Sequence, residues 1–135
     1  FSFEDRMHAY QDGSFKELKI QKKMTWAQLL SVLGSTFVHP TPEEFFSKRM
    51  NEYLNETGLQ DARMDMPRAH AVARAQVNIR ALHSIKMQMR QNEWIIQSGR
   101  DDRQRMLWQV TPKAQKLMES NLLDNDRVFQ FKTQY

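Results

Sequence analysis

Cysteine is absent from these 135 residues, which removes disulfides, thiolate metal sites and cysteine nucleophiles together and fits a reducing compartment, the cytoplasm by default. Glycine occurs only at positions 13, 34, 58 and 99, so no glycine-rich loop can cradle a phosphate. The serines lack both a Gly-x-Ser-x-Gly elbow and a partnered histidine. His8, His39, His70 and His83 contain no His-x-x-x-His pair, and the carboxylates do not gather beside them at helical spacing; no metal, no cofactor and no catalytic role are expected. Asp61, Asp65 and His70 are near enough in sequence for a metal-dependent nuclease set, but a solvated loop accounts for them better. No apolar run approaches the ~18 to 20 residues of a membrane helix, and Phe1 to Arg6 lack a basic stretch followed by an apolar one. The chain starts without methionine, so a piece of a longer protein is expected, with other domains of that protein among its partners.

What remains suffices for one domain, since 40% of the residues are apolar and a chain of this length buries roughly two thirds of its unfolded surface. The net charge is a modest +4, unevenly spread. From Arg68 to Lys116 there are ten Lys and Arg against three acids, net +7, while the rest of the chain is net −3. Such asymmetry suggests a surface that faces a polyanion, against the plainer reading of a solvated, arginine-bearing helix face. The nine methionines gather partly around the third helix and the segment after it, where exposed ones would offer an adaptable protein-binding surface.

Thr25-Trp26-Ala27-Gln28 reads as a capping box opening a helix with Trp26, Leu29, Leu30, Leu33 and Phe37 inward, ending near His39-Pro40. Thr41-Pro42-Glu43-Glu44 repeats the device for a second helix, with Phe45, Phe46, Met50, Tyr53 and Leu54 buried and Gly58 as its stop. Leu59 to Met66 reads as a loop. A long third helix then runs from Arg68 to about Asn92, burying Ala71, Val72, Ala75, Ile79, Leu82, Ile85 and Met89. Its outward side carries Ala73, Gln76, Val77, Arg80, Ser84 and Met87. Small residues let a helix approach a groove floor, and Gln76, Arg80 and Ser84 have the donor and acceptor geometry to read base edges. Arg74, His83, Lys86 and Arg90 flank that face as phosphate contacts; the plainer alternative is a face that packs on a partner protein through Val77 and Met87.

Trp94-Ile95-Ile96 and Met106-Leu107-Trp108-Gln109-Val110 have the composition of paired strands, joined by a polar connection in which Gly99 can take positive φ. Arg100, Arg103 and Arg105 sit on that connection, and Thr111-Pro112 caps a last helix with Ala114, Leu117, Met118 and Leu122 inward. The succession of a helix, a short apolar strand, an Asp-Arg tip and an apolar strand ending Thr111-Pro112-Lys113 resembles the wing of MarR-type and related winged-helix regulators. The resemblance covers about a quarter of the chain and maps the family's Asp-Arg tip onto Asp102 and Arg103. It implies double-stranded DNA as partner, with the wing on the backbone or in a minor groove. Met7 to Ile20, broken by Asp12-Gly13-Ser14, reads as a short helix and a strand; Arg127 to Phe131 reads as a terminal strand or arm able to pair with a second copy in a homodimer.

The expected fold is thus mainly α with a small β-hairpin, a winged helix-turn-helix with a 1–24 extension, a 25–123 core and a 124–135 arm. The expected function is non-catalytic binding of double-stranded DNA in transcriptional regulation or in replication or maintenance of a mobile element. The alternatives are a protein-interaction domain within a larger assembly and an accessory domain of a nuclease or helicase.

Overall fold

The computed structural model describes residues 1–120; the expected contact of Leu122 and the 124–135 arm lie outside the described residues. The chain opens with β1 (Ser2–Gln11) and β2 (Ser14–Lys23), two long antiparallel strands joined by Asp12-Gly13, whose φ values of 51° and 79° are the positive pair of a two-residue hairpin turn. Phe3, Met7 and Ala9 alternate with outward residues along β1, and Leu18 and Ile20 do so along β2. The short helix expected in this region is therefore absent: residues with a two-residue period bury one sheet face and cannot bury one helix face.

Thr25 caps α1 (Trp26–Gly34) by the full reciprocal box with Gln28, and a single 3₁₀ turn, Ser35–Phe37, carries Phe37 into the core. Thr41–Pro42 is not a cap but the two-residue strand β3, and α2 (Phe45–Asp65) starts after it. Gly58 does not stop α2. It is an interior position at which a Cβ would lie 2.8 Å from Met7 Cε, so its bare backbone lets β1 seat its methionine against the helix. The expected 59–66 loop is accordingly the last part of that helix.

The largest correction concerns the expected third helix. Residues Ala71–Val77 form β4, which pairs antiparallel with β1 to give the sheet β2-β1-β4, and only Ile79–Gln91 are helical, as α3. Asn78 separates them, its Oδ1 accepting the Ala81 N–H at 3.0 Å as the helix cap. α2 supports β4 from the side: Asn55 Oδ1 accepts the Ala75 N–H at 2.9 Å, and Asn51 Oδ1 accepts that of Val77 at 2.8 Å. Arg74, at φ 57°, forms a bulge where β4 slips by one residue against β1.

β5 (Ile95–Arg100) and β6 (Met106–Val110) make the expected hairpin, and β3 joins them in the order β3-β6-β5. The helix α4, residues 112–120, follows; Thr111 Oγ1 accepts the Ala114 N–H and donates to Glu93 O, which fixes the start of α4 to the turn after α3. One core runs through both sheets, with Phe46 of α2 stacked on Phe37 at 4.1 Å and edge-on to Trp108 at 6.1 Å. With 46% helix and 33% strand in two sheets among the described residues, the protein is a mixed α/β fold, not the mainly α winged helix-turn-helix expected, and a strand stands where the first part of the long third helix was expected.

Candidate nucleic-acid interface

α3 is short because Asn78 both ends β4 and caps the helix, and its amphipathic pattern then settles which side faces out. Ile85 and Met89 are fully buried one turn apart, and Ala81 and Leu82 are half-buried beside them. Arg80, His83 and Ser84, at i, i+3 and i+4, are exposed together on the opposite side. Ile79, expected in the core, is 83% exposed: it is the first residue of α3 and lies at the edge of the stripe that Leu82, Ile85 and Met89 bury.

Gln76 and Arg74 are exposed as well, but they stand on β4, Gln76 directly opposite Arg6 of β1. They do not share a helix face with Arg80, and Val77 is buried. Ala71 to Val77 fits a helical stripe and a two-residue alternation about equally well, and it is the pairing with β1 that makes it a strand. Lys86 is held by Glu43 and lies 5.9 Å from the Phe46 and Trp108 ring centres, while Arg90 lies 5.8 Å from the Trp108 ring. Neither Lys86 nor Arg90 is as free as the sequence suggested.

The β5–β6 connection is organised by Asp101. Its carboxylate accepts the backbone N–H of Arg103 at 3.0 Å and of Arg105 at 2.8 Å, and Arg105 Nε at 2.8 Å. The Arg105 N–H, then the Arg105 side chain and the Arg103 N–H, hold the Asp101 carboxyl below the usual carboxylate range. Arg105 also bridges to Glu44, the residue before α2, so its guanidinium is engaged within the protein at the base of the hairpin. The ion pair of this connection joins Asp101 to Arg105, and the adjacent tip residues Asp102 and Arg103 have no ion-pair partner among the described residues. Gly99, at φ 101°, turns the strand, Arg100 Nη1 donates to Gln104 O at 2.8 Å, and the exposed Arg103 side chain has no partner among the described residues.

Arg80, His83 and Ser84 therefore form one face, Arg100 and Arg103 the hairpin tip, and Arg74 and Gln76 a separate patch on the first sheet. No group of three or more His, Asp or Glu able to hold a metal occurs among the described residues, and Asp61 is engaged by Lys22 at 2.6 Å. No helix among them is long and apolar enough to cross a membrane.

Sequence reasoning missed a buried acid. Asp5 points inward from β1 at 1% exposure, and neither carboxylate oxygen has a hydrogen-bond partner among the described residues. Burial pushes its pKa up to about 6 against the opposing pull of Lys22, with Asp61 and Glu4 adding to the rise. The two-residue alternation of β1 would have placed it inward. No protein-family model matches this chain, and neither a curated protein nor a solved structure matches it.

Proposed function

We propose that this chain is a non-catalytic double-stranded DNA-binding module that presents α3 to a major groove and lays the β5–β6 tip on the adjacent backbone. The observation that carries this reading is the exposed triplet Arg80, His83 and Ser84 on one side of a helix whose other side is anchored by Ile85 and Met89. Arginine offers a planar fork to guanine, and serine and neutral histidine donate or accept at base edges. Arg100 and Arg103 supply sequence-independent contacts. Such a module serves transcriptional regulation, or replication and maintenance of a mobile element, in the cytoplasm.

A titration of random duplex DNA at several salt concentrations tests the reading. Two to four neutralised phosphates give a log–log slope of about −2 to −4, each phosphate contributing about −0.9. Absence of binding at low salt, or binding indifferent to salt, would count against it. One observation favours a second reading: Ile79 is 83% and Ile96 50% exposed, and exposed apolar side chains suit a protein partner in a larger assembly. Loss of partner binding in Ile79→Ser, with DNA binding absent in wild type, would support that alternative.

A further inference from the structure

The inner face of the β2-β1-β4 sheet is covered by α2, whereas its outer face carries only exposed and half-exposed residues. Register fixes who stands there: Phe15, Glu17, Lys19, Gln21 and Lys23 on β2 lie opposite Tyr10, His8, Arg6, Glu4 and Ser2 on β1. The end near the turn is aromatic. The Phe15 ring stacks on His8 at 4.6 Å with only 8° between planes, Tyr10 lies 5.7 Å from Phe15, and Phe15 is still 57% exposed. On the other side of β1, Ala71 stands opposite Tyr10 and Ala73 opposite His8, so no bulky side chain from β4 closes over the rings.

Charge continues from that aromatic end along the same face. Arg6 lies between Glu4 and Glu17 at 3.9 and 4.0 Å, one positive charge offsetting part of two negative ones. Lys19 and Lys23, further along that face, are exposed and have no ion-pair partner among the described residues. From Phe15 to Lys19 is about 13 Å at the usual rise per strand residue. An open row of flat rings continuing into unpaired ammonium groups matches a strand whose bases are unstacked and whose phosphates follow the backbone. A duplex keeps its bases stacked inside and has no ring to offer. An acidic peptide would use the lysines but leave the stacked rings idle.

We propose that this outer sheet face binds single-stranded nucleic acid, with bases stacked on Phe15, His8 and Tyr10 and phosphates running along Lys19 and Lys23. The site lies on different elements from Arg80 and Arg103 and does not rest on the duplex reading. The test is fluorescence anisotropy of labelled oligo(dT) and oligo(U), with a random duplex and poly-glutamate as competitors, on the whole chain. Wild type binds one or both oligonucleotides at low salt, the preferred arm telling DNA from RNA. Phe15→Ala weakens that binding at least about fivefold, Phe15→Trp restores it, and Lys19→Glu weakens it without touching the core. Absence of oligonucleotide binding in wild type, equal binding by Phe15→Ala, or displacement by poly-glutamate as effective as by oligonucleotide would each overturn the proposal. Thermal melting of each variant separates a lost contact from a lost fold.

Discussion

Asn51 of α2 accepts the backbone N–H of Val77 through its Oδ1 at 2.8 Å, so a helix side chain takes the place that a further strand would occupy along the edge of β4. Asn55, one helical turn on, does the same for Ala75 at 2.9 Å. Leaving a partly buried N–H without an acceptor costs about 1 to 3 kcal/mol. Asn51→Ala and Asn55→Ala are each expected to lose stability in that range in urea, with non-additive losses in the double variant because both hold the same strand. A loss below about half a kcal/mol in both would show that water replaces them.

Asp5 sets a pH dependence whose sign is opposite to that of an ion-paired acid. Its pKa is raised from 3.8 to about 6 on folding, so the folded state holds the proton more tightly than the unfolded one. Stability from this group is greatest at low pH, falls as pH rises between about 4 and 6, and is constant above about 7, a drop of roughly 3 kcal/mol. Asp5→Asn should be more stable than wild type at pH 8, no more stable at pH 4, and flatter between. Parallel stability curves for the two proteins across that range would refute the assignment.

Arg103 and Arg105, two residues apart, are expected to behave differently. Arg105 is tied to Asp101 and Glu44, so Arg105→Ala lowers Tm and loosens the hairpin. Arg103→Ala leaves Tm unchanged and reduces duplex affinity on all sequences alike, flattening the salt slope by about one unit. Calorimetry and the salt titration together decide; a Tm loss in Arg103→Ala with none in Arg105→Ala would reverse the roles.

Arg80 is the residue expected to discriminate sequence. Arg80→Ala should cost roughly 1 to 3 kcal/mol on a preferred duplex and much less on a scrambled one, with the fold intact. Equal losses on both would make Arg80 a phosphate contact, and no loss on either would move the functional reading to Ile79 and a protein partner.

Local signals were legible and non-local ones were not. The Thr25 capping box, the positive φ of Gly99 and the Thr111 cap each depend on neighbours within a few residues, and each is present where the sequence placed it. Ala71 to Val77 satisfies a helical stripe and a two-residue alternation about equally well. Its partners β1 and the asparagines of α2 decide for strand, and they lie far away in sequence. The same distance explains Gly58, whose reason for being glycine is Met7. Asp12-Gly13 was the one missed signal that was local: flanked by alternating residues, it specified the hairpin outright. The candidate face on α3 was half legible, because Arg80 and Ser84 share it whether the helix starts at 68 or at 79, whereas Gln76 shares it only if the helix is long.

Glu43 and Glu44 are consecutive, yet Glu43 holds Lys86 in the middle of α3 and Glu44 holds Arg105 at the root of the β5–β6 hairpin. Their Cα atoms are about 3.8 Å apart, so the two arms are clamped to the ends of a single peptide unit, like a calliper set to one opening. A ligand that spans both arms meets a gauge fixed before it arrives and has little order left to impose on the protein. Reversing one jaw, as in Glu44→Lys, should therefore widen the range of shapes the molecule accepts and weaken its grip on every one of them.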